Sequence, residues 1–244
     1  MKRIWKEPSV CILAYTQLSS DGNKDFSSWV ASQEIGSLDE IPEVAGRVCY
    51  DSFGKGRKTN KEYLGNIIQK EHFSVLEHSV ITVGIQGISR ACSHELVRHR
   101  HFSFSQRSQR YCREVAFVAH PNLSPEQVDW LAMEASHRII PAYERLQADL
   151  PDTKGGQEVA RMLLPNYTET KMVVTGNLRT WREFFLKRGT IHADAEIRRL
   201  AVAILKLIKP YAPNALQDLE VQDGATIGVV RPQAVDGDGV DSCT

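Results

Sequence analysis

The residues best suited to chemistry lie in one basic stretch, RHRHFSFSQRSQRYCR (98–113). Its sixteen positions hold five arginines, two histidines and three serines, and no carboxylate. Guanidinium groups donate paired hydrogen bonds to phosphate, and serine and glutamine side chains can bond the edge of a base. The rings of Phe102, Phe104 and Tyr111 can stack on such a base. An arginine-rich run is more often a general anion patch, but this mixture of side chains favours a nucleotide.

Three further arginines, Arg161, Arg179 and Arg188, stand near the ends of predicted helices or strands. We expect these ends to direct their side chains into one cleft shared with the basic stretch. Each charge-assisted hydrogen bond to a phosphate contributes about 1.5–3 kcal/mol, so a few of them suffice for micromolar binding of a mononucleotide. The sequence therefore predicts an arginine-lined nucleotide site.

Common motifs for metal or dinucleotide binding do not fit the chain. HELVRH (94–99) resembles a zinc-protease motif, but its histidines are five residues apart, which places them about 140° apart on a helix. GKGRKT (54–59) lacks the glycine that a phosphate-binding loop needs five positions before its Gly-Lys pair, where Cys49 stands. No G-x-G-x-x-G or G-x-S-x-G occurs. We therefore predict no metal site and no Rossmann turn.

Composition narrows the class of protein. The 244 residues include 30 basic and 30 acidic side chains, so the formal net charge is zero, and no general affinity for nucleic acid or an anionic membrane is expected. Five cysteines without C-x-x-C spacing indicate a reducing, cytoplasmic setting, and Cys49 and Cys112 are predicted to be packing residues. Without a signal peptide or an apolar run of eighteen residues, we expect a soluble protein.

Both helices and strands are needed to position the site. The predicted strands cover 9–17, 79–88, 115–119 and 171–176. The predicted helices cover 40–50, 61–70, 89–100, 124–150, 157–164, 178–189 and 193–209. Pro141 should kink or split the 124–150 helix, and Asn177 should cap the helix after it, whose Trp181, Phe184 and Phe185 belong to the core. We predict one α+β catalytic domain over 1–233 and a disordered tail at 234–244.

The basic stretch also carries a family signature. Arg98-His99-Arg100, seven residues and then Ser108 match the R-H-R-x7-S pattern of the flavin-dependent thymidylate synthases, which make thymidylate without a cysteine nucleophile. The likeness covers most of the chain outside the 19–40 loop and the tail. It extends over RVCYDS (47–52), HFSVLEH (72–78), ELVRHRHFSFSQRSQRY (95–111), ARMLLPN (160–166), TGNLRTWREFF (175–185) and RGTIHADAEIRRLA (188–201).

This resemblance implies a fold, an assembly and a reaction. The implied fold is a mixed sheet packed with long helices, assembled as a homotetramer whose active sites lie between subunits. FAD is the implied cofactor, and deoxyuridylate (dUMP) is the substrate that is reductively methylated to thymidylate (dTMP). The implied carbon donor is 5,10-methylenetetrahydrofolate, and NADPH reduces the flavin.

The resemblance also assigns site residues by position. The FAD contacts are Ser74, Arg98, His99, Arg100, Gln106, Asn177 and Arg179. The dUMP cradle is Glu95, Leu96, Val97, Arg98, Gln106, Arg107, Ser108, Gln109, Arg110, Arg161 and Arg188. One departure is Glu183, which stands where relatives tend to place Asn or His near the flavin and which adds a negative charge there.

Arg188 is the predicted catalytic residue, because it matches the family arginine that polarises or deprotonates the base. A guanidinium stays protonated, so we expect it to act electrostatically. Placed at the carbonyl and N3 edge of uracil, it would stabilise the charge that builds up as C5 becomes nucleophilic. Ser108 has no histidine fixed beside it by sequence, which favours a hydrogen-bonding role over a nucleophilic one.

Two other classes of protein stay open at this point. In a nucleic-acid-binding module the arginines would contact a phosphate backbone, but the zero net charge and the dispersed later arginines argue against it. A metal-dependent nucleotide hydrolase would need carboxylates and histidines at ligand spacing, and the sequence does not offer them.

Overall fold

The computed structural model describes residues 4–19 and 37–230. Its strands are β1 (Ile4–Trp5), β2 (Ser9–Tyr15), β3 (Val80–Ser89), β4 (Ser103–Gln106), β5 (Phe117–Val118), β6 (Glu169–Asn177), β7 (Leu219–Gln222) and β8 (Thr226–Val229). Its helices are α1 (Ser37–Tyr50), α2 (Asn60–Gln69), α3 (Arg90–Leu96), α4 (Pro125–Glu134), α5 (Ile140–Asp149), α6 (Lys154–Ala160), α7 (Leu178–Arg188) and α8 (Ala195–Ile208). The predicted α+β class is confirmed, while the predicted tail and most of the 19–40 loop lie outside the described residues.

The main sheet has four antiparallel strands in the order β2-β3-β6-β4. On its inner face Ile81, Val83 and Ile85 are 0, 0 and 3% exposed, which confirms the predicted alternation of β3. Leu13 and Val173 lie on the outer face, where no described element covers them, and are 54 and 38% exposed. Parallel pairing occurs separately, between β1 and β5.

Helices α7 and α8 pack against each other beside this sheet. Trp181, Phe184 and Phe185 are fully buried, so their predicted place in the core is confirmed. Asn177 begins α7 as predicted, because its side-chain Oδ1 accepts a hydrogen bond from the Thr180 backbone N–H at 2.8 Å. Strand β6, the last strand of the sheet in chain order, thus leads directly into the helix that carries Arg188.

Pro141 splits the predicted 124–150 helix. A π turn at Ala135–Ile139 joins α4 to α5, and Pro141 lies in the first turn of α5. Proline has no backbone N–H and its ring clashes with the carbonyl four residues earlier, so the regular hydrogen-bond pattern cannot continue through it. A smaller apolar cluster around Phe117, Ile140 and Tyr143 forms in this part of the chain.

Two predictions about local structure are wrong. Helix α3 ends at Leu96 and not at Arg100, because the chain turns there: the His99 N–H donates to the Leu96 carbonyl and the Phe102 N–H to the His99 carbonyl. Cys49 and Cys112 are exposed and do not pack in the core. Cys49 lies in the last turn of α1, and Cys112 lies near the end of the basic stretch, directly after a turn at 109–111.

Short elements were also missed by sequence analysis. They are strands β1 and β4, the hairpin of β7 and β8, and the 3-10 turns at Phe73–His78 and Lys209–Tyr211. The 3-10 turn at Arg161–Leu163 lies inside the predicted helix 157–164. Among residues 4–19 and 37–230, no helix is long and apolar enough to cross a membrane.

Candidate functional site

The site is built around the turn that connects α3 to β4. The start of α3 is fixed by Ser89, whose Oγ accepts from the Cys92 backbone N–H at 3.0 Å. Ser89 is held in turn by the buried Glu196 carboxylate, which accepts from the Ser89 backbone N–H at 2.7 Å and from its hydroxyl at 2.6 Å. Helix α8, which carries Glu196, therefore anchors the segment that delivers the basic stretch.

A cavity of about 370 Å³ lies between this turn and α7. This volume is in the range of small-molecule sites, about 300–1,000 Å³. Its lining residues are Arg98, His99, Arg100, His101, Thr180, Glu183, Lys187 and Arg188. Four cationic side chains and one carboxylate line it, so the cavity suits an anionic ligand.

Arg188 forms more hydrogen bonds than the other side chains that line the cavity. Its Nε–H donates to His99 Nε2 at 3.0 Å and its Nη1 to Glu95 Oε2 at 2.7 Å. The Arg188 side chain is 24% exposed and that of Glu95 is 35% exposed. Glu95 and His99 are four residues apart, which brings them to the same side of the chain as α3 ends. Sequence analysis named all three residues but missed that Arg188 bonds both Glu95 and His99.

His99 is neutral in this arrangement. Burial lowers its pKa to about 4, and the positive charges of Arg188 and Lys187 contribute to the decrease. Because Nε2 accepts a hydrogen bond from Arg188, the imidazole proton lies on Nδ1. The ring of Phe184 meets the imidazole edge-on, with centroids 5.2 Å apart.

The predicted FAD residues differ in whether their side chains are free to contact a ligand or are already bonded within the fold. Arg98 and Arg100 are exposed, and their side chains form no hydrogen bond or ion pair with another described residue. Arg179 forms an ion pair with Glu77. Asn177 has committed its oxygen to the cap of α7, and Ser74 is exposed in a 3-10 turn.

Glu183 also lines the cavity and is paired with Lys187 one helical turn away. The hydrogen bond from Lys187 lowers the pKa of the Glu183 carboxyl, so this group is ionised at neutral pH. Glu183 thus offsets the positive charge of Lys187 in the cavity, and it forms no hydrogen bond or ion pair with Arg188.

A second group of arginines lies at the other end of β4. Arg107 donates to Glu169 Oε2 at 3.3 Å and to the Glu114 carbonyl at 2.7 Å. Arg110 pairs with Glu158 at 3.4 Å. Burial lowers the pKa of Arg90, and the nearby charge of Arg161 adds to this effect.

The expectation of one cleft is therefore wrong within a single chain. The first group contains Arg98, Arg100 and Arg188, and the second contains Arg107, Arg110 and Arg161. Strand β4, whose four residues span roughly 13 Å at about 3.3 Å per residue, separates the two groups. Arg179 does not line the cavity and does not belong to the second group.

Several predicted dUMP residues have roles inside the fold. Leu96 is fully buried, so a ligand could reach only its main chain. The Gln106 amide donates to Ser93 Oγ at 2.9 Å and to Thr170 Oγ1 at 3.2 Å. Ser108 Oγ accepts from the Arg110 backbone N–H at 3.3 Å, and no described histidine bonds to it. Val97 is exposed, and Gln109 is half-buried.

Comparison with known proteins decides the family. The model of the family described as thymidylate synthase complementing protein matches residues 34–214. The chain belongs to this family. Among its relatives in the family, the flavin-dependent thymidylate synthase of Mycolicibacterium gilvum is 40% identical over 229 residues, which cover 87% of this chain and 90% of the relative. The proteins of that name from Mycobacterium avium and Mycobacterium tuberculosis are 45 and 43% identical over 198 residues, 74% of this chain and 79% of each relative. The family resemblance drawn from the sequence is thus confirmed.

Proposed function

We propose that the chain is a flavin-dependent thymidylate synthase that converts dUMP to dTMP. Its cofactor is FAD, its carbon donor is 5,10-methylenetetrahydrofolate and its reductant is NADPH. Relatives of that name at 40–45% identity support this activity. The structural observation that carries the proposal is the cationic cavity in which Arg188 is held by Glu95 and His99.

The residues present fit a flavin dinucleotide. Its diphosphate requires hydrogen-bond donors with positive charge, and Arg98 and Arg100 offer guanidinium groups that no other described residue occupies. We assign the FAD contacts to Ser74, Arg98, His99, Arg100, Gln106, Asn177 and Arg179. Bound FAD would supply reducing equivalents received from NADPH.

The remaining charges are proposed to hold dUMP. Arg107, Arg110 and Arg161 suit a phosphate, while Gln106, Ser108 and Gln109 suit polar groups of the nucleotide. Val97 and Leu96 would contribute main-chain contacts, and Glu95 reaches the substrate through Arg188. Arg107 and Arg110 are paired with carboxylates in one chain, so a phosphate would have to replace or share these partners.

Arg188 is proposed to stabilise negative charge on the pyrimidine. Two of its five N–H groups are committed to His99 and Glu95, and a third approaches the Glu95 carbonyl at 3.5 Å. One N–H on each terminal nitrogen is left for an oxygen or nitrogen of the base. Since guanidinium does not lose its proton at neutral pH, Arg188 acts through charge and orientation and not as a base.

We further propose a homotetramer with shared active sites. One chain holds its arginines in two groups, so a neighbouring copy is needed to bring the second group to the cavity. Exposed apolar side chains support such contacts: Leu13 and Val173 on the open sheet face, and Met162, 81% exposed, beside Arg161. A cytoplasmic location is proposed because Cys11, Cys49, Cys92 and Cys112 are free thiols.

Tritium release tests this function directly. The complete mixture should release tritium from C5 of labelled dUMP and form dTMP, and omission of FAD, NADPH or the folate should stop dTMP formation. Purified protein should be yellow, with flavin absorbance bleached anaerobically by NADPH. Tight oligonucleotide binding with no dTMP formed would favour the nucleic-acid-binding module. Nucleotide hydrolysis that is lost when a chelator is added would favour the metal-dependent hydrolase.

A further inference from the structure

The Glu95 carboxylate has a partner already. Its Oε2 accepts the Arg188 Nη1–H at 2.7 Å, and its main-chain carbonyl lies 3.5 Å from Nη2. The same guanidinium donates its Nε–H to His99 at 3.0 Å. Both anchors of Arg188 thus come from a single turn of chain at the end of α3.

We infer that Glu95 is a positioning residue for Arg188 and does not itself contact the nucleotide. Glu95 and His99 hold the guanidinium in one orientation, with its uncommitted N–H groups available to the cavity. This inference rests on the proposed function for the identity of the reaction. The hydrogen bonds from Arg188 to Glu95 and His99 do not depend on that function.

The physical reason is the freedom of an arginine side chain. An unrestrained arginine samples many rotamers and must lose that freedom each time it meets a substrate. Two hydrogen bonds formed beforehand remove this requirement at the moment of reaction. Glu95 also has a cost, because its negative charge opposes the charge that Arg188 is proposed to stabilise. A neutral acceptor at the same place would keep the orientation without that charge.

This reasoning supplies a matched pair of variants. Glu95→Gln and Glu95→Met remove the same charge and have similar length, but only glutamine offers an oxygen acceptor to Arg188. Glu183→Gln is the charge control, because Glu183 lines the same cavity and contacts Lys187. Glu95→Ala repeats the test without the bulk of methionine, and melting temperatures identify any variant that is unfolded.

His99 reports the position of Arg188 without any measurement of turnover. The charge of Arg188 contributes to the lowering of the His99 pKa from 6.5, so release of Arg188 raises it. The other charges around this imidazole are Lys187 and Glu183 from α7, Glu95 from α3, and Arg98, Arg100 and His101 from its own turn. Glu95 loses its charge in both Glu95→Gln and Glu95→Met, and the other neighbours are the same in the two variants.

The experiment is a histidine titration by NMR between pH 3.5 and 8, on full-length protein labelled at histidine Cε1 and matched in FAD content. Loss of one signal in His99→Gln assigns the resonance. We expect a His99 midpoint of about 4 in the wild type, no increase in Glu95→Gln or in Glu183→Gln, and a higher midpoint in Glu95→Met. A midpoint that does not rise in either Glu95→Met or Glu95→Ala would overturn the inference.

Steady-state kinetics give the second readout. Glu95→Met should lower kcat at least about tenfold with less than about a threefold change in KM for dUMP, and Glu95→Gln should recover most of the loss. Equal damage in the two variants would contradict a positioning role. If the wild type itself forms no dTMP, the proposed function fails, while the titration still decides the role of Glu95.

Discussion

His99 Nε2 accepts the Nε–H of Arg188 at 3.0 Å, and this contact joins the signature motif of the basic stretch to the end of α7. It requires a neutral imidazole with its proton on Nδ1. The motif histidine therefore supports the catalytic arginine of the proposed mechanism.

His99 should make stability depend on pH. Its pKa of about 4 in the folded chain lies below the ordinary value of 6.5, so the unfolded state binds more protons between these values and stability falls as pH decreases through that range. Screening of this half-buried group limits the effect to about 1–2 kcal/mol. Thermal unfolding at pH 7 and pH 5 should show a smaller loss in His99→Gln than in the wild type. An identical loss in both proteins would contradict the low pKa.

Arg188→Ala should nearly abolish methylation and leave the assembly intact. Removal of a preorganised charge from a reacting site typically costs about 100-fold or more in kcat. Arg188→Lys keeps a positive charge but cannot bond both His99 and Glu95 in the same fork geometry, so it should recover only part of the activity. Single-turnover dTMP formation and size-exclusion chromatography test both statements. Near-normal turnover in Arg188→Ala would refute the role of this residue.

Asn177 is expected to combine a structural and a binding role. Asn177→Ala removes the cap of α7 and should lower the free energy of unfolding by about 1 kcal/mol. Asn177→Asp retains an oxygen acceptor at the start of the helix and should preserve stability. Both variants lose the amide donor, so both should bind FAD more weakly if that donor contacts the cofactor. Chemical denaturation and fluorescence titration with FAD separate the two effects.

Arg100 should contribute to FAD affinity through its charge. Arg100→Gln removes one of the cations of the cavity, and we expect about a tenfold increase in the Kd for FAD and a weaker dependence of binding on salt. Arg145 provides the matched control, because its exposed side chain pairs with Asp149 on α5 and Arg145→Gln removes the same charge outside the cavity. Equal losses in the two variants would indicate a general charge effect.

The open face of the main sheet should take part in assembly. Leu13→Glu places a charge on an exposed apolar position and should dissociate the proposed tetramer, which light scattering can measure. Met133→Glu is the control, because Met133 is similarly exposed, at 60%, on α4. A tetramer that survives Leu13→Glu would exclude this face from the interface.

Periodic apolar patterns and capping residues made much of the fold predictable. The alternation around Val83 and the cap at Asn177 are local signals, and both elements form where expected. Strand β4 was missed because Ser103 and Ser105 give it little apolar character, and its pairing with β6 depends on residues far away in sequence. The single domain over 1–233 stays a prediction.

The candidate site was only partly accessible from sequence. The R-H-R-x7-S pattern identified the family and the residues that matter. The bonds among Glu95, His99 and Arg188 were not predicted, because Arg188 lies 89 residues from His99. The spacing of four between Glu95 and His99 was the available signal. The division of the arginines by β4 could not be read from the sequence, because it depends on strand pairing.

That division has a consequence for the inheritance of defects. A polypeptide whose two sets of arginines lie on opposite ends of one strand does not contain a complete reaction chamber, and in the proposed assembly each chamber draws on two or more copies. One damaged subunit then impairs chambers that sound subunits help to build. The damaged subunit still lends its intact set of arginines to a neighbouring chamber. Two defective chains, each damaged in a different set, would therefore form some complete chambers when mixed, so such alleles would complement each other.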